Sequence, residues 1–154
     1  MTIVKVGPED RELLWNVTQK YLYEMTGYYD DEMDASGVLH YGYFDEYFTD
    51  PRRMAFFFRD NERPVGFAMI HPYSSIGGSP DYVMAEFTVF PAYRRRFIAT
   101  EAAAMLFERF KGRWEVKFNE KNTAAKALWS KATASYCPRA TRLNEEETVF
   151  SFET

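Results

Sequence analysis

The spacing of hydrophobic and polar residues switches between a strand period and a helical period along the chain, and these switches predict the elements. A short apolar segment at 3–6 precedes Pro8 and an acidic turn, after which apolar residues recur at helical spacing as far as Met25. A Tyr- and Asp-rich stretch follows at 28–52, and its end, 41–48, has helical character. The first third of the chain therefore predicts a strand, a helix and a loop that contains one short helix.

Strand periodicity dominates the middle of the chain. Residues 53–59 and 64–71 flank a polar turn and predict a hairpin, and a third strand at 82–90 ends at Pro91. The remaining predicted elements are a helix at 97–111, a strand at 113–118, a helix from Asn122 to 132 and a closing strand at 148–152. A strand–helix–strand crossover beside consecutive antiparallel strands predicts a mixed α/β fold with helices packed on the sheet. No repeat or linker interrupts the pattern, so we expect residues 1–154 to form a single domain.

The composition is that of a globular chain with one core. The chain has 154 residues, of which 46% are hydrophobic. No apolar run approaches the roughly 20 residues that cross a bilayer, and the N-terminus lacks the pattern of a signal peptide. The single cysteine, Cys137, allows neither an internal disulfide nor a cysteine metal cluster. We therefore expect a cytoplasmic protein with no membrane partner and no metal.

Charge is distributed unevenly along the chain. The net charge is −4, yet residues 93–131 hold 10 Lys and Arg against 4 Asp and Glu. A basic block inside an acidic chain favours a locally held anionic ligand over nucleic acid, which needs a long basic face. A solvated, charged helix face is the alternative interpretation of the same block.

One junction inside this block has the chemistry of a phosphate site. The strand that ends at Pro91 runs into Arg94, Arg95 and Arg96 and then into a helix. Such a turn gathers free backbone N–H groups, the positive end of a helix dipole and arginine side chains at one point. The pattern predicts a pyrophosphate site, although an Arg-rich surface turn would give the same residues.

Two segments carry a family resemblance. Phe87-Thr88-Val89-Phe90-Pro91 followed by Tyr93-Arg94-Arg95-Arg96 resembles the cofactor motif of the GNAT N-acetyltransferases, and Asn122-Thr123-Ala124-Ala125-Lys126-Ala127-Leu128-Trp129 is similar to the family's second motif. One helix and one strand separate them, as in the family. The resemblance implies a GNAT-like central mixed, mostly antiparallel sheet with a V-shaped opening, flanked by helices. It also implies an acyltransferase that moves an acetyl group from acetyl-CoA to a primary amine of an unidentified small molecule or peptide.

The resemblance also implies a cofactor site. Backbone amides from Arg95 to Ala99 would face the pyrophosphate of acetyl-CoA, and Val89 and its neighbours would offer strand-edge groups to the pantetheine arm in the opening between strands 82–90 and 113–118. The residues expected to bind acetyl-CoA are Phe87, Thr88, Val89, Arg94, Arg95, Arg96, Phe97, Ile98, Ala99, Thr100, Asn122, Ala125 and Trp129.

Two residues depart from the family pattern. Phe97 stands where the motif has Gly, and we expect a negative φ there, as at a helix start, with weaker cofactor binding. Trp129 stands where many members carry a Tyr that protonates the leaving thiolate, and an indole is no useful acid. Tyr136 is our candidate for a substitute acid, with Cys137 as an alternative. Trp129 is also explained as a core aromatic.

Glu86 is the candidate general base. It interrupts an otherwise apolar strand immediately before the cofactor motif, and an amine nucleophile must lose a proton before it attacks a thioester. An exposed strand position is the alternative explanation of this residue.

The acceptor is expected to meet Tyr28, Tyr41 and Tyr43, in the variable N-terminal region. Acidic residues around them favour a cationic acceptor or belong to a solvated loop. His40 and His71 share no metal-ligand spacing, so we expect structural or rim roles for both.

Two other functions compete with the enzyme. Phe97 and Trp129 also fit an acyl-CoA-binding module with little or no catalytic activity. A nucleic-acid-binding protein is disfavoured because the chain is acidic and lacks a basic stripe with exposed aromatics. A homodimer is compatible with the sequence.

Overall fold

The computed structural model describes residues 1–154 and places seven strands and three helices along the chain. In order these are β1 (Thr2–Lys5), α1 (Arg11–Met25), β2 (Met54–Asp60), β3 (Arg63–His71), β4 (Tyr82–Val89), α2 (Ile98–Arg109), β5 (Arg113–Asn119), α3 (Thr123–Thr133), β6 (Arg139–Arg142) and β7 (Glu147–Glu153). Short 3-10 turns lie at Pro8–Asp10, Asp45–Phe48, Pro91–Tyr93 and Ala134–Tyr136. Every strand and helix predicted from the sequence is present.

The seven strands form one sheet in the order β1-β2-β3-β4-β5-β7-β6. All neighbours are antiparallel except β4 and β5, which are joined through α2 and run parallel. The predicted mixed, mostly antiparallel sheet with flanking helices is therefore confirmed. The sequence did not predict β6, because its four residues carry no apolar alternation and only pairing with β7 makes them a strand.

The sheet opens between β4 and β5. These two strands pair only where Tyr82–Met84 lies beside Trp114–Val116. A β-bulge on the other side of β4 leaves Ala85 without a partner on β3, and such a bulge bends its strand. Beyond Met84 the edge of β4 that faces β5 is therefore unpaired, which gives the V-shaped opening.

Two hydrophobic clusters cover the two faces of the sheet. Phe56 and Phe58 of β2 pack on the side of α2 and α3, whereas Phe57, between them, packs on the side of α1. Glu86 lies opposite Met69 of the α1-side cluster, so its side chain is on the α1 face. The opening is therefore flanked by α1 on one face and by α2 and α3 on the other.

The hydropathy of the helices sets one further limit. None of them is both long enough and apolar enough to span a bilayer.

Candidate active site

The loop between β4 and α2 leaves a run of backbone N–H groups free. None of the amides of residues 95–100 donates a hydrogen bond within the chain, since the first helical bond runs from Glu101 N to Phe97 O. Arg95 and Phe97 both have a left-handed backbone, with φ of 61°. Alternation of this kind turns successive N–H groups into one concavity, and here the concavity lies at the positive end of α2. The arrangement suits a diphosphate.

The conformation of Phe97 corrects the sequence prediction. A negative φ was expected at the helix start, and this is wrong, because Phe97 is the residue before the first turn of α2 and turns left-handed to aim the amides inward. A side chain in this region costs about 1 kcal/mol that glycine does not incur. The ring is 77% exposed, with the Lys131 ammonium 5.6 Å from its centroid. It therefore projects into solvent and does not pack into the protein.

Replacing Phe97 with Gly should strengthen acetyl-CoA binding about threefold to tenfold, because without a Cβ the free amides can approach the diphosphate more closely. Phe97→Ala, which keeps the Cβ, is the matched control and should gain much less. Isothermal titration with acetyl-CoA measures both. A weaker affinity of the glycine variant would show that the ring itself contacts the cofactor.

Arg94 is held by the protein. Its Nε donates to the Val89 carbonyl at 2.8 Å, and its Nη2 lies 2.9 Å from the Glu24 carboxylate of α1. The side chain thus ties the loop to both flanking elements. Arg95 and Arg96 are exposed and form no ion pair, so their charges are free for a phosphate.

The edge of β4 faces the opening with main-chain groups. Phe90 N donates to Val65 O on the β3 side at 2.8 Å. Since neighbouring residues of a strand present their polar groups to opposite sides, the N–H and C=O of Val89 point away from β3. The C=O already accepts from Arg94 Nε, so the N–H is the group left for a ligand. An extended ligand could pair there as an additional strand.

Glu86 lies beside this edge in an enclosed environment. Burial raises the pKa of its carboxyl to about 7, and the hydroxyls of Tyr21 and Tyr41, followed by the charge of Lys117, oppose the increase. The residue keeps partial solvent exposure overall, whereas the carboxyl itself is surrounded by protein. A carboxyl with this pKa can accept a proton near neutral pH.

Phenol groups extend from Glu86 toward β2. Burial, with a further contribution from the Glu86 charge, raises the pKa of Tyr41, and burial raises that of Tyr47 to about 12. Tyr41 and Tyr47 also interact with each other. On the side of β5 and β7, the Tyr29 hydroxyl donates to Glu147 at 2.9 Å, and Glu147 pairs with Lys117 at 3.4 Å.

The structure places the three tyrosines expected to meet the acceptor in different surroundings. Tyr41 lies at Glu86, whereas Tyr43 is 66% exposed and the Tyr28 carbonyl accepts from Asn119 at 3.4 Å. Tyr41 and Tyr43 also line an open cleft of about 750 Å³, together with Glu9, Glu12, Trp15, His40, Asp45 and Glu46 among others. Tyr41 is shared by this cleft and the environment of Glu86. Tyr21 of α1, which also interacts with Glu86, was not among the site residues predicted from the sequence.

The second motif begins at the helix cap that the sequence predicts. The Asn122 carboxamide oxygen accepts from Ala125 N at 3.1 Å and so caps α3. Trp129 is 4% exposed and packs edge-on against Phe87, with ring centroids 5.0 Å apart. Tyr136 stacks on Phe152 at 5.6 Å. Its assignment as general acid stays a prediction.

No group of three or more His, Cys, Asp or Glu side chains is arranged to hold a metal ion. His40 lies on the cleft. Burial, and then the charge of Arg53, lowers the pKa of His71 to about 4, so it is neutral at physiological pH.

The geometry agrees with the comparison of the chain with protein families. The model of the acetyltransferase (GNAT) family matches residues 15–133, which is most of the chain. The chain belongs to the GNAT acetyltransferase family. No curated protein sequence matches this GNAT chain significantly.

Solved GNAT structures share its fold. They include NAA60 of Arabidopsis thaliana in complex with acetyl-CoA (13% identity, 99% of this chain and 97% of the other, TM-score 0.64) and the GNAT domain of PAT from S. lividans (15%, 99% and 89%, 0.69). Spermidine N-acetyltransferase SpeG of Vibrio cholerae is a third (12%, 99% and 95%, 0.64). Identities this low establish the common GNAT architecture alone.

The raised pKa of Glu86 makes this GNAT protein less stable as pH increases. The folded carboxyl keeps its proton up to about pH 7, whereas an unfolded one releases it near 4.5, so folding is penalised increasingly across that window. Glu86→Gln should therefore gain about 3 kcal/mol over wild type at pH 8 and less than about 1 kcal/mol at pH 5. Urea denaturation at both pH values, with Glu108→Gln on the α2 surface as control, measures this difference. An equal effect at both pH values would contradict the proposed burial of the charge.

Proposed function

We propose that the protein transfers the acetyl group of acetyl-CoA to a primary amine of a small molecule or peptide, with Glu86 as the general base. The observation that carries the proposal is the position of Glu86. A carboxyl with a pKa of about 7 adjoins the unpaired edge of β4, on the strand that leads into the free amides of 95–100. Residues that accept a proton and residues that suit a diphosphate thus share one strand and its following loop.

Different parts of the site would bind different parts of acetyl-CoA. The amides of 95–100, with Arg95 and Arg96, would hold the diphosphate, and the edge of β4 near Val89 would hold the extended arm. The thioester that acetyl-CoA supplies is an activated acyl group. A main-chain N–H directed at its carbonyl would stabilise the charge that develops there.

Glu86 would remove the proton from the acceptor ammonium, directly or through a water. A free ammonium has a pKa near 10, so a neutral amine is scarce at pH 7 and a nearby base increases its supply. The amine then forms a bond to the acetyl carbon, the carbon–sulfur bond breaks, and CoA leaves as thiol or thiolate. Because a thiol has a pKa of about 8.5, its departure does not strictly require an acid.

The direct test is the release of free thiol from acetyl-CoA in the presence of a panel of amines. We expect turnover that depends on the amine, together with its acetylated product by mass spectrometry. The competing function, an acyl-CoA-binding module, rests on Phe97 and Trp129. It predicts acetyl-CoA binding by calorimetry but no amine-dependent thiol release.

A further inference from the structure

Arg53, immediately before β2, is a largely buried cation with weak polar partners. Its side chain is 9% exposed, and its guanidinium adjoins the Tyr47 hydroxyl and lies 3.9 Å from the Asp50 carboxylate, yet it makes no hydrogen bond of normal geometry to either. Its Nε is also closed off from solvent. A guanidinium carries five N–H donors, and leaving such donors unpaired in a protein interior is costly. The enclosed Nε therefore has no acceptor of normal geometry in the chain, and the two other guanidinium nitrogens remain open to a ligand.

Asp50, the nearest carboxylate, does not fill this role. It lies 3.9 Å from Arg53 Nε, beyond hydrogen-bond distance. Its oxygens already accept from the backbone and side chain of Arg52 and from the Tyr73 hydroxyl at 3.1 Å. Asp50 thus offsets part of the charge of Arg53 and leaves its N–H groups free.

Three tyrosine rings surround the guanidinium instead. Their centroids lie 4.8 Å from its central carbon for Tyr43, 4.7 Å for Tyr73 and 5.5 Å for Tyr47. Aromatic faces stabilise the positive charge but accept none of the in-plane N–H groups. The planar guanidinium, enclosed by these rings, presents N–H donors that suit a carboxylate, because a carboxylate can accept two parallel hydrogen bonds.

Arg53 also lies on the face of the sheet that carries Glu86. Met54 pairs with Ile70, and on the other face Ala55, Met69 and Glu86 form one row across β2, β3 and β4. The Arg53 guanidinium lies over the ring of Tyr47, which belongs to the α1-side cluster, so it is on that same face. With strands about 4.8 Å apart and about 3.4 Å per residue, the Cα atoms of Arg53 and Glu86 are about 12 Å apart. Both are long side chains on one face, with Tyr41 and Tyr47 between them.

We propose that Arg53 binds a carboxylate of the acceptor, so that the acceptor is a free amino acid or a similar amino carboxylic acid. The inference rests on the proposed function, because the amine of this acceptor is the group that Glu86 would deprotonate. The acidic residues that favoured a cationic acceptor in the sequence are all exposed on the segment between α1 and β2, namely Asp30, Asp31, Glu32, Asp34, Asp45 and Glu46. The enclosed cation is the stronger determinant of the ligand's charge.

The test uses the twenty standard L-amino acids as acceptors in the thiol-release assay. Each is compared with the derivative in which a carboxamide replaces the α-carboxylate. Wild type should prefer the best amino acid over its carboxamide at least about 30-fold in kcat/KM, as expected for a buried charge pair. In Arg53→Gln that ratio should fall to near one, and Arg53→Lys should restore part of it. The control is Arg63→Gln, an exposed arginine at the start of β3 that makes no ion pair, and it should keep the wild-type ratio. Thermal unfolding confirms that each variant is folded.

A second readout separates this inference from the proposed function. Thermal shifts with the same panel, in the presence of CoA, should show stabilisation by amino acids but not by carboxamides, and Arg53→Gln should abolish it. If amino acids stabilise the protein in this way but are not acetylated, the carboxylate site is supported and the proposed acetyl transfer is contradicted. Turnover with equal rates for acids and carboxamides would overturn the carboxylate site and leave acetyl transfer intact. The absence of both binding and turnover for every amino acid would also overturn the carboxylate site.

Discussion

Glu86→Gln is expected to lower kcat/KM for acetyl transfer at pH 7.5 by about 10²- to 10³-fold, the usual contribution of a positioned general base. The glutamine keeps the shape of the side chain and its place among Tyr21 and Tyr41, but it cannot accept the proton of the ammonium. Affinity for acetyl-CoA should change little, because its proposed binding groups are main-chain amides and arginines beyond the end of β4.

The pH profile distinguishes a base from a structural carboxyl. In wild type the base is active when deprotonated, so kcat/KM should increase as pH rises through about 7 and then level toward pH 9. Glu86→Gln should lose this inflection, and Glu108→Gln should retain it. A variant that is slower by the same factor at every pH between 6 and 9, with the inflection preserved, would exclude Glu86 as the base.

Reversing the charge of the loop is the second large expected effect. The double variant Arg95→Glu and Arg96→Glu should weaken acetyl-CoA binding by about 100-fold, because two free cations become anions beside the proposed diphosphate site. S-acetylpantetheine, which lacks the diphosphate, should be used by both proteins with kinetic constants within about threefold. The loss should shrink at high salt, since both side chains are exposed.

The matched control changes the net charge equally at another place. Arg113→Glu and Arg139→Glu alter exposed arginines on β5 and β6, so they test the effect of overall charge. If this control weakened acetyl-CoA as strongly as the loop variant, the loss would be a general field effect. A comparable loss for S-acetylpantetheine would also contradict a local diphosphate site.

Much of this architecture follows from local patterns in the sequence. Periodicity placed the hairpin of β2 and β3, the cap at Asn122 and the junction after β4, because each depends on residues close together in the chain. The free amides of 95–100 are a consequence of that junction. The edge strand β6 has no such pattern, since only its pairing with β7 defines it.

The surroundings of Glu86 could not be predicted from local patterns in the sequence. Tyr21 comes from α1, Tyr41 and Tyr47 from the following loop and Lys117 from β5, and only packing on one face of the sheet brings them together. The environment of Arg53 likewise depends on three tyrosines and on Asp50, whose oxygens accept hydrogen bonds from Arg52 and Tyr73. The left-handed Phe97 could not be predicted, because sequence preference favours glycine there.

A crystal structure of the protein with CoA tests the central claim most directly. We predict that the diphosphate oxygens lie within hydrogen-bond distance of several backbone nitrogens of residues 95–100, with the pantetheine arm along the edge of β4 toward Glu86. Saturating CoA bound elsewhere, or main-chain N–H groups of this loop turned away from it, would contradict the account.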